Sequence, residues 1–218
     1  MKTLQQWEDN YPKIAQVYDG RMLIVSGKQI DTPMDVRQFV FDNDVILKEQ
    51  VREMFKGYTL PDLSEHQKID IVQQWVIKNL KYTSDEGQLG RPEFWMFPTE
   101  TLVLRRGDCE DGALLILSLL LNASCDPRRF RLTCGYVTAD GEEGGHAYVT
   151  YCVGPENEGE YWIPVDWCFY PETGPVAERK RLSERREYGS VWFSFNRRYC
   201  WSPTPNTSFR GRVKTRRI

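Results

Sequence analysis

The feature that most constrains this chain is a run of nine residues, 113–121, in which every residue except one serine is apolar. A helix that is apolar around its whole circumference is buried inside a protein, whereas a surface helix keeps a polar face. The run is also too short to cross a bilayer, which requires about 20 apolar residues. It therefore predicts a buried central helix, and the 218-residue chain is long enough to pack a core around it.

A cysteine stands where this helix is predicted to begin. Cys109 lies in the segment Gly107-Asp108-Cys109-Glu110-Asp111, directly before the apolar run. The unpaired backbone N–H groups and the dipole of a helix N-terminus stabilise a thiolate, so this position predicts a nucleophile with a lowered thiol pKa. Taken alone, the segment also fits a capped, buried cysteine with a purely structural role.

Two further residues have the chemistry to act with Cys109. The chain has two histidines, and His146 opens an apolar strand pattern, where it can take the thiol proton and later give it to a leaving amine. Asp166 ends another apolar strand pattern, where its carboxylate can fix the imidazole tautomer or, alternatively, cap a turn. The other histidine, His66, is predicted to be an exposed polar residue in the first turn of a charged helix. We therefore expect a Cys109–His146–Asp166 triad.

The order of the predicted elements indicates the fold class. Strand patterns at 130–138, 146–153, 161–166 and 191–195 follow the helical part of the chain. Strands that come in a block after helices, joined by hairpin-length links, predict an α+β domain with an antiparallel sheet.

The first part of the chain is predicted to be a separate segment. Residues 1–60 form an N-terminal extension that packs on or covers the core, with a short strand at 23–25 and a helix from Asn43. The apolar face of that helix is predicted to hold four residues: Val45, Ile46, Val51 and Phe55.

The main domain is predicted to span residues 61–200, and 201–218 form a basic C-terminal tail. Ser64 begins a capping box, Ser64-Glu65-His66-Gln67, that starts a helix with apolar residues at helical spacing. Glycines and prolines predict a loop over residues 82–100, and the charged run at 178–187 predicts a solvated loop or short helix.

Charge and composition argue against several classes of function. The net charge of −2 gives no attraction to nucleic acid, and the chain has no membrane-spanning run and no secretory signal, so we expect a cytoplasmic protein. The six cysteines include no C-x-x-C pair, which argues against a zinc site, and most are expected to be small buried apolar residues.

Over about residues 65–170 the chain resembles the transglutaminase-like superfamily, and it is most similar to its small bacterial and phage-borne members. The resemblance rests on four blocks in order: Trp95-x-x-Pro98-x-Glu100-Thr101-Leu102, Gly107-Asp108-Cys109-Glu110-Asp111, Gly145-His146-Ala147-Tyr148 and Trp162-x-x-x-Asp166.

This resemblance implies a papain-like fold with the nucleophile Cys109 at the N-terminus of a buried helix, His146 as the base and Asp166 as the orienting acid. The implied function is a cysteine-dependent hydrolase that cleaves peptide or side-chain amide bonds through a thioester acyl-enzyme, with a protein or peptide as substrate. One alternative is a protein-glutamine transamidase with the same triad. Another is a non-catalytic, virion-associated binding module that retains the fold.

The resemblance also raises two subsidiary expectations. In cross-linking relatives a tryptophan well before the cysteine helps to hold the oxyanion, so Trp95 is a candidate for that role, although it also fits an aromatic core anchor. Some bacterial relatives bind calcium near the cysteine motif, which makes Asp108, Glu110 and Asp111 candidate calcium ligands. The sequence contains no EF-hand-like loop, and we expect no cofactor, with these carboxylates bonded instead to neighbouring turns and to the pair Arg105-Arg106.

Overall fold

The computed structural model describes residues 17–26, 28–90, 92–153 and 161–201. Its helices are α1 (Val45–Met54), α2 (Glu65–Asn79), α3 (Asp85–Leu89), α4 (Pro98–Leu104) and α5 (Cys109–Asn122). Its strands are β1 (Val17–Val25), β2 (Lys28–Asp35), β3 (Lys81–Tyr82), β4 (Arg106–Gly107), β5 (Phe130–Ala139), β6 (Glu142–Val153), β7 (Tyr161–Val165), β8 (Tyr188–Phe195) and β9 (Cys200–Trp201).

The central helix is α5, as the apolar run predicts. Every residue of α5 is buried, and the helix packs against β6 and β5 on one side and against α2, α4 and α1 on others. Two polar residues in its later turns are paired: the hydroxyl of Ser118 accepts from the Phe41 N–H at 3.1 Å, and Asn122 donates to the Phe41 carbonyl at 2.8 Å. The buried side chains of Ser118 and Asn122 therefore both have hydrogen-bond partners.

The strands after α5 form one sheet with the order β7-β6-β5-β8-β9, and all its pairs are antiparallel. Leu132 of β5 pairs with Val149 of β6 on one side and with Phe195 of β8 on the other. The predicted α+β class and the four predicted strands are confirmed, with β6 and β8 each beginning a few residues earlier than the sequence pattern indicates.

The N-terminal hairpin, formed by β1 and β2, shares its core with the rest of the protein. Tyr18 of β1 stacks on Trp95 at 5.3 Å between ring centroids and packs edge-on against Phe39 at 5.6 Å. The division of the chain at residue 60 remains a prediction. The basic tail predicted at 201–218 lies outside the described residues apart from Trp201.

Helix α1 begins after Asp44, whose carboxylate accepts from the N–H groups of Ile46 and Leu47. Its buried face differs from the predicted one, because Leu47 and Val51 are fully buried whereas Val45 is 81% exposed. Residues spaced by four share a helix face, so Leu47, Val51 and Phe55 point to the core. Val45 and Ile46, in the first turn, are exposed.

Helix α2 begins with the predicted capping box, in which the Ser64 hydroxyl accepts from the Gln67 N–H and the Gln67 side chain accepts from the Ser64 N–H. The loop predicted at 82–100 is wrong in part, because this segment contains α3 and the start of α4. Gly90 ends α3 with a φ of 65°, and Pro98 occupies the first turn of α4. These residues mark helix ends here, which is a position that both favour.

The charged run at 178–187 begins at the end of one 3₁₀ turn, Val176–Glu178, and contains a second, Leu182–Glu184. Most of its side chains are exposed, as predicted, but Arg179 is 5% exposed. Its guanidinium donates to Asp70 at 2.6 Å and to Gln73 at 2.7 Å, so the charge is buried with partners rather than solvated. Among the described helices, none combines the length and the apolar character that a bilayer span requires.

Candidate active site

Cys109 is the first residue of α5, directly after the short strand β4. Strand β4 pairs in parallel with β3, which fixes the backbone before the helix. Gly107 is required here because a Cβ on it would lie 2.6 Å from the Cβ of Asp111. The Asp111 carboxylate accepts from the Asp108 N–H at 3.3 Å and so caps the start of the helix.

The sulfur of Cys109 lies in a closed, acidic environment. The residue is 6% exposed, its Sγ donates to Glu110 Oε2 at 3.1 Å, and a backbone hydrogen bond from Ala147 reaches the sulfur. Burial first, and then the negative charge of Asp108, raise the pKa of the Cys109 thiol well above its usual value. The lowered pKa predicted from the helix N-terminus is therefore wrong for this state, because desolvation and neighbouring carboxylates outweigh the helix dipole.

His146 and Asp166 are in direct contact, as predicted. Nε2 of His146 lies 2.8 Å from Oδ2 of Asp166, and each residue is 1% exposed. Asp166 also accepts from the Cys168 N–H at 3.1 Å and from the Tyr188 hydroxyl at 3.0 Å. Burial acts to raise the pKa of Asp166, but the charge of His146 and these hydrogen bonds hold it below its usual value, so the carboxylate is ionised.

The other ring nitrogen of His146, Nδ1, is buried and has no hydrogen bond to any described residue. The next residue along β6 is Ala147, whose backbone reaches the Cys109 sulfur. The strand that carries His146 therefore runs beside the start of α5. The Cys109 thiol donates to Glu110 in this state, and a hydrogen bond from Cys109 to His146 is not formed.

Five carboxylates lie close together beside Cys109. Two overlapping sets have oxygens within 4.8 Å of one another, and they comprise Asp85, Glu93, Asp108, Glu110 and Asp111. Sequence reasoning missed Asp85 and Glu93, because both lie in the segment predicted to be a featureless loop.

Burial and mutual repulsion favour the protonated forms of three of these carboxylates, Asp108, Glu110 and Asp111. Burial and the charge of Asp85 raise the pKa of Asp108 to about 8, and burial and Asp108 raise the pKa of Glu110 and Asp111 well above their usual values. Asp108 Oδ1 and Glu110 Oε1 are buried without a hydrogen bond to any described residue. An oxygen-only set with unused lone pairs suits a hard cation such as Ca²⁺.

The alternative roles predicted for these acids are met only in part. Asp111 does bond to a neighbouring turn, since it accepts from the Met96 N–H at 2.8 Å. The guanidinium of Arg105, however, lies over the Trp75 ring at 4.5 Å and donates to Gln50.

Trp95 lies in the aromatic core, with 1% exposure, stacked on both Tyr18 and Phe195. Its indole N–H donates to Glu93 Oε1 at 2.8 Å. The oxyanion role of Trp95 stays a prediction, and this arrangement favours the alternative of a core anchor.

A second tryptophan, Trp167, which sequence reasoning did not single out, contacts Cys109 directly. The indole N–H of Trp167 donates to the Cys109 carbonyl at 3.2 Å. A Cβ on Gly112 would lie 2.2 Å from the Trp167 ring, so the ring packs directly on the first turn of α5.

The remaining candidate residues are accounted for elsewhere in the fold. His66 is half-buried rather than exposed, and its ring meets Tyr151 edge-on at 5.7 Å. All six cysteines lie in described ranges and are free thiols. Cys168 is the one that is not fully buried, and its ligand atom lies within 4.8 Å of those of His146 and Asp166.

Comparison with known proteins confirms the resemblance. The sequence profile of a family described as a transglutaminase-like domain matches residues 53–173, which include Cys109, His146 and Asp166. Comparison with curated protein sequences gives no match.

Among solved structures, LapG from Legionella pneumophila is similar, with 18% sequence identity, a TM-score of 0.51, and coverage of 71% of this chain and 75% of that one. The calcium-bound form of the same LapG gives 19% identity, a TM-score of 0.52 and the same coverage. At this identity the likeness establishes the fold. The profile match covers more than half of the sequence, and the chain belongs to the transglutaminase-like domain family.

Proposed function

We propose that this protein is a cysteine-dependent hydrolase that cleaves peptide or side-chain amide bonds of a protein or peptide. The proposal rests above all on the buried contact between His146 Nε2 and Asp166 Oδ2, which leaves Nδ1 without a hydrogen bond on the strand beside Cys109. A carboxylate on one ring nitrogen fixes the tautomer in which the other nitrogen is a base, and that is what a thiol nucleophile requires.

In the proposed reaction, Nδ1 of His146 takes the thiol proton, and the sulfur of Cys109 attacks the amide carbonyl carbon. The negative charge on the carbonyl oxygen is held by the backbone N–H of Cys109, which is unpaired within its helix because it lies at the N-terminus. His146 then protonates the leaving amine as the C–N bond breaks, and a thioester remains. Water, deprotonated by the same imidazole, attacks the thioester and releases the acid and the thiol.

The resting geometry supports a role for calcium in this function. The thiol donates to Glu110 and faces the charge of Asp108, and both features oppose its ionisation. Residues Asp85, Glu93, Asp108, Glu110 and Asp111 would hold the ion. When bound, Ca²⁺ supplies positive charge that offsets these carboxylates and so favours the thiolate. The calcium-bound form of LapG is consistent with this proposal.

Selective alkylation tests the nucleophile without knowledge of the substrate. The full-length protein is treated with limiting iodoacetamide at mildly acidic pH, in Ca²⁺ or in EGTA, and each cysteine is quantified by peptide mass spectrometry. We expect Cys109 to be labelled first in Ca²⁺, with the preference reduced in EGTA and lost in His146→Ala. His66→Ala, which removes the other histidine, is the matched control and should keep the preference. Equal labelling of all six cysteines in every condition would contradict the proposal.

Turnover is then measured on glutamine-containing peptides and on a fluorogenic peptide-amide library. Cys109→Ala should abolish turnover, whereas Cys125→Ala, which removes another buried thiol, should retain it. Ammonia release that continues without an added amine supports hydrolysis, and dependence of product formation on an added amine would replace hydrolase with transamidase.

A further inference from the structure

Tyr188 makes a contact that no sequence motif indicates. It is the first residue of β8, and its hydroxyl donates to Oδ2 of Asp166 at 3.0 Å. This is the same oxygen that lies 2.8 Å from Nε2 of His146. Tyr188 is therefore bonded to the oxygen of Asp166 that contacts the His146 imidazole.

The other hydrogen bonds to the Asp166 carboxylate come from its own loop. The N–H groups of Cys168 and Tyr170 donate to it at 3.1 and 3.3 Å, and both residues lie within four positions of Asp166 in the same loop. Gln73 reaches Asp166 from α2, but it binds the backbone carbonyl and does not set the side-chain rotation. Among the described residues, Tyr188 and His146 are the two strand residues whose side chains contact the Asp166 carboxylate.

The Tyr188 side chain is itself held firmly in the sheet. Its backbone pairs with Val137 of β5, which pairs in turn with β6, the strand of His146. Its ring lies 4.6 Å from that of Tyr148, and the guanidinium of Arg185 covers it at 5.5 Å. Burial and the charge of Asp166 raise the pKa of Tyr188, so the hydroxyl keeps its proton and acts as a donor.

We propose that Tyr188 is a positioning residue that holds the Asp166 carboxylate in the orientation that fixes the His146 tautomer. The proposal rests on the proposed function, since it assigns a part of the same triad. Without the hydroxyl, the carboxylate keeps its loop donors but loses its external anchor, so it can rotate away from Nε2. The consequence is a mixture of imidazole tautomers and a weaker base at Nδ1.

The test measures the tautomeric state of the His146 imidazole directly. The full chain is labelled with ¹⁵N-histidine, and the two histidines are assigned by comparison with His66→Ala. In the wild type we expect one tautomer for His146, protonated at Nε2 with a downfield proton. In Tyr188→Phe we expect that proton to shift and a second tautomer to appear, and kcat on the best amide substrate to fall roughly 10- to 100-fold with KM nearly unchanged.

Tyr151→Phe is the matched control, because it removes the buried hydroxyl that donates to Glu65 at 3.1 Å and leaves Asp166 untouched. Its His146 spectrum and kcat should match the wild type. Unchanged His146 resonances in Tyr188→Phe would overturn the positioning role, even if activity fell. If Tyr188→Phe fails to fold, a ring-fluorinated tyrosine at position 188 replaces it, and its more acidic hydroxyl should shift the Nε2 proton because both groups bind the same oxygen of Asp166.

The failure of this inference is distinguishable from the failure of the proposed function. A wild-type protein that never cleaves an amide would remove the hydrolase proposal but leave the tautomer measurement intact. An active wild-type enzyme with an unaltered His146 spectrum in Tyr188→Phe would remove only the role of Tyr188.

Discussion

The side chain of Gln73 donates to the backbone carbonyl of Asp166 at 2.5 Å, although the two residues are separated by 93 positions in the sequence. Its amide oxygen accepts in turn from Arg179, which also binds Asp70. Helix α2 is thus bonded to the loop that carries Asp166, the acid of the proposed triad. Gln73 is fully buried, so its hydrogen bonds to the Asp166 carbonyl and to the Arg179 guanidinium are shielded from water.

Gln73→Ala should therefore destabilise the fold. The change leaves the Asp166 carbonyl and one Arg179 N–H without partners in a dry environment, and we expect a loss of about 2–3 kcal/mol in the free energy of unfolding. Urea denaturation followed by tryptophan fluorescence measures it. Gln50→Ala, which removes only an exposed contact to Arg105, should stay within about 0.5 kcal/mol of the wild type. A similar result for both variants would contradict this account of Gln73.

The acidic cluster predicts how stability depends on pH. The pKa of Asp108 is raised to about 8 in the folded protein, and those of Glu110 and Asp111 are raised as well, so the folded state binds more protons than the unfolded state above the usual carboxyl pKa. Stability contributed by these protons is present at low pH and is lost as the pH rises towards 8, by up to about 1.4 kcal/mol per pH unit for each group.

Thermal unfolding in EGTA should accordingly give a Tm that falls between mildly acidic pH and pH 8. Asp108→Asn should flatten the profile, because it removes one titrating group and its charge. Added Ca²⁺ should restore Tm at the alkaline end, since the ion takes the place of the lost protons. A Tm that rises steadily over this range in EGTA would show that the cluster is not protonated as described.

Gly112 should not tolerate a side chain. The Cβ of Gly112→Ala would overlap the Trp167 ring, with the nearest atoms 2.2 Å apart, and the ring must leave its place against α5. We expect a loss of about 1–3 kcal/mol together with reduced alkylation of Cys109. Gly174→Ala is the control, because its Cβ would meet no atom within 4 Å, and it should leave both stability and alkylation unchanged.

Asp166→Asn tests the role of the Asp166 carboxylate in the proposed triad while keeping the shape of the side chain. The amide keeps the shape of the side chain but donates where the carboxylate accepts, which favours the wrong His146 tautomer. We expect kcat to fall roughly 10³- to 10⁴-fold with little change in secondary structure by circular dichroism. Asp62→Asn alters an exposed aspartate and should keep full activity. Retention of activity by Asp166→Asn would exclude the proposed role of the carboxylate.

The sequence predicts the local parts of this molecule well. The apolar run identifies α5, the capping box places the start of α2 at Ser64, and strand patterns locate β5 to β8. The motif around Cys109 and the position of His146 and Asp166 on strands made the triad a specific prediction, and the contact between the last two residues is present. Each of these signals lies within a short window of sequence.

The parts that were missed depend on contacts between distant segments. Nothing near Tyr188 or Gln73 indicates that their side chains reach Asp166, because those contacts follow from the sheet order and from the packing of α2. The rise in the pKa of Cys109 also has a tertiary cause, since it follows from burial and from carboxylates that the fold gathers around the sulfur. The motif indicates that Cys109 lies at a helix N-terminus, but it does not indicate which side chains the fold places around the sulfur.

The anchoring of Asp166 from β8 has a consequence for the timing of biosynthesis. A nascent chain that has emerged only as far as Asp166 contains the thiol, the imidazole and the carboxylate, yet it lacks the hydroxyl of Tyr188 and the strand β8 that carries it. On the ribosome, the proposed alignment of Asp166 with His146 must await the synthesis of β8, which Tyr188 begins. A chain synthesised only that far lacks the hydrogen bond that we propose positions the Asp166 carboxylate.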